Sequence, residues 1–132
     1  MDKEFEEVGK LDADSEVTFC EFGCGVGNAL LPLAKKYPKM KFLGFDFSKH
    51  AINCLLRHKE VEESGDRFQL TVADLVLDPI PQEFLKSAPH LGSLIFVLCA
   101  ISPENHLGVM VKIFDFLRPG AVLFFRDYAL YD

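Results

Sequence analysis

The sequence lacks the segments that carry a chain into or across a membrane. Its longest apolar stretch, residues 91–101, is interrupted by Gly92 and Ser93. It falls short of the roughly 20 residues that span a bilayer. The first residues are acidic, unlike a signal peptide or an arginine-rich transit sequence. We therefore expect a cytoplasmic protein, with the nucleus as the alternative location, and no membrane partner.

Metal-ligand spacing is lacking as well. The cysteines form no Cys-x-x-Cys pair, and the histidines show no ligand spacing. Cys20 and Cys99 lie in apolar runs, where a thiol packs as a small hydrophobic side chain. These patterns predict that the chain has no metal site.

Positive charge is scarce in this chain. It holds 14 basic and 20 acidic residues, for a net charge of -6, and most of that charge lies in residues 1–16. This predicts an acidic N-terminal lead-in over residues 1–16, followed by a globular domain over residues 17–132. Proteins that grip RNA through its phosphates carry a basic stripe, and none is visible here. An RNA substrate would therefore need binding surface outside this chain.

Tryptophan is absent, but 49% of the residues are hydrophobic, which excludes a chain that is disordered as a whole. Apolar runs rich in strand-forming residues alternate with helical spacing. They predict five strands, at residues 17–22, 41–45, 68–72, 94–98 and 121–125. Such an alternation is typical of a doubly wound α/β fold with a mainly parallel sheet.

Three helices are predicted between these strands. They cover residues 29–37, a segment from the N-cap Ser48 to about residue 63, and residues 104–117. The last helix is expected to bury one apolar face, formed by Leu107, Met110, Val111, Phe114 and Leu117. Ligands of this fold class bind beyond the carboxyl ends of the strands. That rule directs attention to the loops at residues 22–28, 45–48, 73–75, 95–102 and 126–131.

The loop after the first strand carries the most informative motif. Gly23, Gly25 and Gly27 form a Gly-x-Gly-x-Gly pattern, with Glu21 two residues ahead of it. Glycines allow a tight turn and a close ligand approach. Dinucleotide-binding proteins favour Gly-x-Gly-x-x-Gly, with a pyrophosphate at the helix N-terminus. The Glu21 carboxylate would repel a pyrophosphate but suits the ammonium and sulfonium charges of S-adenosylmethionine.

Acidic residues follow the next two strands. The two oxygens of Asp46 match the vicinal hydroxyls of a ribose. A role of Asp46 as a simple helix-entry residue is disfavoured, because Ser48 already supplies the helix cap. Since Asp46 caps no strand pairing, we expect its replacement to change stability much less than cofactor binding. Asp74 can accept the amino group of an adenine, and Leu75 can pack against the adenine ring.

Together these segments resemble successive motifs of class I methyltransferases. More narrowly, Ala100-Ile101 and the ending from Phe125 to Asp132 are similar to the methyltransferase-like family that makes 3-methylcytidine in tRNA. The resemblance implies a Rossmann-like sheet cut off after strand five, with S-adenosyl-L-methionine as cofactor and S-adenosyl-L-homocysteine as product. It also implies cofactor contacts at or next to Glu21, Gly23, Gly25, Asp46, Phe47, Asp74, Leu75 and Ile95.

Candidates for the acceptor side follow the fifth strand. They are Arg126, Asp127, Tyr128 and Tyr131; alternatively, Arg126 and Asp127 form a surface ion pair that ends the strand. No residue is assigned to catalysis itself. Cytosine N3 carries a lone pair at neutral pH, so it needs positioning and no general base.

Three functional hypotheses stay open at this point. The first is a tRNA methyltransferase, and the second is a small-molecule or protein methyltransferase, which the missing basic stripe favours. The third is a catalytically silent cofactor-binding module that acts with a partner protein. The fifth strand is apolar on both faces and would lie at the edge of the sheet. It therefore predicts a homodimer or a protein partner that pairs with this strand.

Overall fold

Five parallel strands form one sheet in the computed structural model, which describes residues 16–128. The strands run in the order β3-β2-β1-β4-β5, with β1 between β2 and β4. This arrangement confirms the predicted doubly wound, parallel α/β fold. The bounds are β1 Thr18–Phe22, β2 Lys41–Asp46, β3 Phe68–Val72, β4 Leu91–Ile95 and β5 Val122–Arg126.

The helices are α1 Leu30–Lys36, α2 Lys49–Leu56, α3 Lys59–Glu62 and α4 His106–Phe116. Ser48 caps α2 as predicted, because its hydroxyl accepts a hydrogen bond from the Ala51 N–H at 3.1 Å. The prediction of one helix up to residue 63 is wrong. The chain leaves α2 at Arg57, and His58 caps the separate helix α3 by accepting from the Glu60 N–H at 3.3 Å. None of the described helices has the length and apolar character needed to span a membrane.

Strand β4 lies three residues earlier than predicted. Gly92 and Ser93, which interrupt the apolar run, belong to the strand and are paired with Cys20 and Glu21 of β1. The glycine and the serine are tolerated in β4 because this strand pairs with β1 on one side and with β5 on the other. The strand ends at Ile95, because the next residue adopts a left-handed conformation.

The predicted buried face of α4 is wrong in part. Met110 and Leu117 pack against the core cluster as predicted, but Leu107, Val111 and Phe114 are exposed. The fully buried side chains of the helix are Val109, Ile113 and Phe116. The helix is apolar on two faces, and both have helical spacing, so periodicity alone selects neither. The helix also begins later than predicted, because Pro103–Asn105 form a 3₁₀ turn before His106.

Two hydrophobic clusters fill the two sides of the sheet. One joins the sheet to α1 and α2, and the other joins it to α4 and to the segment before β4. Phenylalanines dominate both: Phe19 contacts Phe42 on one side, and Phe22 contacts Phe45 on the other. Because both faces are covered, the carboxyl ends of the strands are left as the place where a ligand can enter.

Candidate cofactor and acceptor site

A cavity of about 510 Å³ opens at the carboxyl ends of the strands. Its volume lies within the range of roughly 300–1,000 Å³ that is typical of small-molecule sites. Six of the eight predicted cofactor residues line it, namely Gly23, Asp46, Phe47, Asp74, Leu75 and Ile95. Glu21 and Gly25 do not line it. Glu21 is buried within β1, whereas Gly25 is partly exposed in the loop, and the roles of all eight residues stay predictions.

The glycine loop is held by hydrogen bonds to the protein itself. The N–H groups of Gly23 and Cys24 both donate to the Phe45 carbonyl, at 2.9 and 3.0 Å. The Gly27 N–H donates to the Cys24 carbonyl at 3.0 Å, and the Gly25 N–H donates to the Asp46 carboxylate at 2.9 Å. A pyrophosphate site needs such N–H groups to point at the ligand. The loop geometry therefore fits a ligand held by acidic side chains better than a diphosphate.

Two of these glycines cannot be replaced without strain. Gly23 has φ of +84°, and a Cβ there would lie 2.8 Å from Cγ2 of Val97. Gly27 has φ of +91°, and a Cβ there would lie 2.5 Å from Cδ1 of Leu55. Both positions combine a left-handed backbone with close packing, which only glycine accommodates. Of these two contacts, the one between Gly23 and Val97 lies in the cavity wall.

Asp46 does more than the sequence predicts. Its Oδ2 accepts from the Gly25 N–H and its Oδ1 accepts from the Ser48 N–H, both at 2.9 Å. The side chain therefore joins the glycine loop to the start of α2, and the expectation of a much smaller effect on stability needs correction. Each carboxylate oxygen keeps a second acceptor position, so a ribose diol can still be bound.

The loop after β3 is held by hydrogen bonds within the loop and by hydrogen bonds from α4. Asp74 Oδ1 accepts from the N–H groups of Val76 and Leu77, at 2.8 and 3.1 Å, which leaves Oδ2 for an adenine amino group. From α4, the Lys112 ammonium donates to the carbonyls of Leu75 and Asp78, at 2.8 and 2.6 Å. Sequence reasoning missed Lys112, since a single lysine on a predicted helix carries no signal of such a distant contact.

Glu21 lies behind the glycine loop, with only 4% of its surface exposed. Its carboxylate accepts from the Ser93 hydroxyl at 3.0 Å. Burial raises the pKa of Glu21 to about 7, with a smaller contribution from nearby Asp46, while the Ser93 hydrogen bond acts in the opposite direction. A positive charge bound nearby would favour the ionised form of this group.

This pKa shift predicts a pH dependence of stability. The folded state binds the Glu21 proton more tightly than the unfolded state, whose pKa is near the ordinary 4.5. The stabilisation is thus complete below pH 4.5 and is lost as the pH rises to about 7. The slope for one such group is about 1.4 kcal/mol per pH unit, roughly 3 kcal/mol in total.

Urea unfolding of the parent and of Glu21→Gln, from pH 5 to 8, measures this contribution. The difference in unfolding free energy between the two should shift in favour of the variant as the pH rises. The exposed control Glu62→Gln should run parallel to the parent. Parallel curves for Glu21→Gln as well would contradict a protonated Glu21 in the folded protein.

The candidate acceptor residues after β5 form a bridge to the loop after β4. Asp127 accepts from the Cys99 N–H at 3.1 Å and from the Tyr128 N–H at 2.8 Å. The Tyr128 hydrogen bond is the main reason why the pKa of Asp127 lies below its ordinary value. Within residues 16–128, Arg126 and Asp127 form no ion pair, so that alternative is wrong. Tyr131 lies outside the described residues, as does nearly all of the acidic lead-in.

The segment after β4 supplies residues that sequence reasoning did not single out. Its apolar and polar side chains complete the cavity wall: Phe96, Val97, Ala100, Ile101, Ser102 and Asn105. The loop at residues 95–102 is predicted as part of the ligand edge, but its individual residues are not. His106 fixes the 3₁₀ turn in this loop, because its Nε2 lies 3.0 Å from the Leu98 carbonyl and 2.8 Å from the Ile101 carbonyl.

Comparison with known families identifies the class of this fold and site. A family profile described as a methyltransferase domain matches residues 20–123, which is most of the chain. The chain therefore belongs to the methyltransferase domain family. It is a class I methyltransferase domain, and its cofactor is S-adenosylmethionine.

The curated relatives include a tRNA N(3)-methylcytidine methyltransferase of Drosophila melanogaster, 39% identical over 98% of this chain and 41% of the relative. The human tRNA N(3)-cytidine methyltransferase METTL6 is 34% identical over 98% of this chain and 46% of the relative. An O-methyltransferase of Dictyostelium discoideum is 37% identical over 92% of this chain and 28% of the relative. The chain thus spans less than half the length of each of these relatives.

Solved structures agree on the fold. A coclaurine N-methyltransferase superposes with a TM-score of 0.74 over 93% of this chain and 33% of that chain, at 15% identity. An O-methyltransferase of a Brevibacillus brevis polyketide synthase, in complex with S-adenosyl-L-homocysteine, has a TM-score of 0.68 and 23% identity. This superposition covers 83% of this chain and 35% of the O-methyltransferase chain. At such identities the likeness concerns the fold alone.

Proposed function

We propose that this domain transfers a methyl group to N3 of cytidine in tRNA, in the cytoplasm. The observation that carries the proposal is the composition of the cavity wall. Asp46 and Asp74 are its only ionisable side chains among the described residues, and no histidine, lysine or cysteine lines it. Methylation of a hydroxyl group needs a base to remove its proton. Cytosine N3 has no proton to remove, so this wall suits it.

Several residues of the chain would hold the cofactor. We infer that Asp46 binds the ribose, that Asp74 accepts the adenine amino group, and that Leu75 and Ile95 pack against the adenine and its surroundings. When bound, S-adenosylmethionine supplies an electrophilic methyl group on a positively charged sulfur. The apolar side chains after β4 would exclude water from the acceptor. Catalysis by this chain would then consist mainly of orienting N3 toward the methyl group.

A small-molecule or protein methyltransferase is the second candidate. The Dictyostelium O-methyltransferase among the relatives and the net charge of -6 favour it. A tRNA substrate would need a basic surface that this sequence does not provide. A silent cofactor-binding module that works with a partner protein is the third candidate. The three differ in the acceptor, not in the cofactor site.

Calorimetry tests the cofactor site directly. We expect the chain to bind S-adenosylmethionine and S-adenosylhomocysteine but not NAD, since most amides of the glycine loop are engaged within the protein. Binding of NAD without binding of S-adenosylmethionine would contradict this expectation.

Methyl transfer to tRNA transcripts and to a panel of phenols and amines then separates the three candidates. Transfer to tRNA by the chain alone supports the proposed function, and transfer only to small molecules supports the second candidate. Transfer that appears only after a partner protein is added supports the third.

A further inference from the structure

Phe96 has an unusual backbone for its residue type. Its φ is +55°, in the left-handed region that bulky side chains avoid. Its side chain lines the cavity and is 43% exposed, so burial does not compensate for the strain. Strained residues of this kind persist where the surrounding structure holds them, and they cluster at functional sites.

Hydrogen bonds hold Phe96 in this conformation from both sides. Its N–H donates to the Arg126 carbonyl at 2.7 Å, and its carbonyl accepts from the Cys99 thiol at 3.2 Å. The Cys99 N–H in turn donates to Asp127. Asp127 is thus a positioning residue, because both of its oxygens are used to join the loop after β4 to the loop after β5.

The result of this arrangement is an exposed aromatic pair beside the cavity. The ring of Tyr128 lies 4.8 Å from the ring of Phe96, at an interplanar angle of 30°. Tyr128 is 66% exposed, and neither ring belongs to the two core clusters. The two rings lie partly over each other at the rim of a ligand site, and both stay exposed to water, so a planar ligand can stack on the side of a ring that faces away from the other ring.

We propose that Phe96 and Tyr128 form a stacking platform for the acceptor nucleobase. The inference rests on the proposed function and names the part of the site that receives the base. Bases of single-stranded nucleic acids bind to proteins by stacking on aromatic rings. The methylated cytosine is a cation, and cations are attracted to aromatic faces. The platform should therefore bind 3-methylcytidine more tightly than cytidine.

Nuclear magnetic resonance of the chain with labelled aromatic residues tests the platform. Cytidine and 3-methylcytidine are titrated separately, with S-adenosylhomocysteine at a concentration that saturates each variant. We expect the ring resonances of Phe96 and Tyr128 to shift. Phe96→Leu and Tyr128→Leu should each weaken nucleoside binding by roughly ten-fold. Phe96→Tyr and Tyr128→Phe keep the rings and should bind like the parent.

Two further variants serve as controls, one for a loss of folding and one for the removal of an exposed ring elsewhere. Phe96→Gly suits the left-handed backbone, so it should fold at least as well as the parent and still lose nucleoside binding. Phe114→Leu removes an exposed phenylalanine of α4 outside the cavity and should change nothing.

The outcomes separate this inference from the proposed function. Unchanged nucleoside binding in the leucine variants, or no shift of either ring while S-adenosylhomocysteine binds, overturns the platform alone. Ring shifts by nucleosides without any S-adenosylhomocysteine binding would overturn the proposed function and leave the platform standing. Ring shifts caused by phenols and not by nucleosides would overturn the assignment to a nucleobase.

Discussion

Asp46→Ala should lower the affinity for S-adenosylmethionine by about 100-fold or more. The carboxylate is inferred to accept two ribose hydroxyl groups, and a hydrogen bond to a charged acceptor contributes about 1.5–3 kcal/mol. Two such bonds correspond to at least 3 kcal/mol, where each 1.4 kcal/mol is about a ten-fold change in affinity. Calorimetric titration of the folded variant measures the loss.

The same substitution should also destabilise the fold. Asp46 holds the Gly25 and Ser48 N–H groups, and two backbone donors would lose their acceptor. We expect the free energy of unfolding to fall by about 1–3 kcal/mol. Asp46→Asn keeps one carbonyl oxygen as an acceptor, so it should recover part of the stability.

Asp66→Ala serves as the matched control, because this exposed aspartate lies in a turn away from the cavity. It should leave both affinity and stability unchanged. Parent-like affinity in a folded Asp46→Ala would mean that the ribose assignment is wrong.

The sequence predicts the cofactor side of the site because that side follows from topology. Gly23, Asp46 and Asp74 lie at or within two residues of the carboxyl ends of three strands that are neighbours in a parallel sheet. Once the strands are predicted to be parallel, their ends must meet at one edge. The residues that bind there can then be named without any knowledge of the packing.

The acceptor side could not be predicted in the same way. The strained Phe96 lies after β4, and the prediction placed that strand three residues too late because Gly92 and Ser93 interrupt the apolar run. The contacts from Asp127 to Cys99 and from Lys112 to Leu75 join residues 28 and 37 positions apart. No local pattern signals such contacts, since they depend on how the loops meet after folding.

The face of α4 illustrates a second limit. Leu107, Val111 and Phe114 have the spacing of a buried face, yet the sheet packs against Val109 and its neighbours. When a helix has two apolar faces, the sequence indicates that one of them is buried but does not show which one. That remaining face lies beside a groove of about 630 Å³ between α4 and β5.

Strand β5, which borders this groove, should make the purified chain associate with itself. In the part of the chain that the structure describes, β5 lies at the edge of the sheet beside β4, and an edge strand can pair with a strand of another chain. Phe125 on this strand is 56% exposed, and no charge precedes Arg126. In a solution of the chain alone, a second copy is the partner that can pair with the strand and cover the adjoining apolar groove.

Sedimentation at micromolar concentration should therefore show dimers or larger species of the 132-residue chain. Phe125→Lys should shift them to monomers, because a buried unpaired ammonium costs several kcal/mol, which is roughly a hundred-fold or more in the dissociation constant. Phe124→Lys is a poorer probe, since Phe124 packs against the core cluster of the sheet and its replacement would also test folding.

Val72→Lys gives the matched control for this prediction. Val72 is a half-exposed apolar residue of β3, which forms the opposite edge of the sheet. A lysine there adds the same charge to an edge strand, so it should leave association through β5 intact. If the parent sediments as a monomer and the amide protons of β5 exchange rapidly, the strand does not pair with a second copy. Equal loss of association in Phe125→Lys and Val72→Lys would point to a general effect of charge and not to this strand.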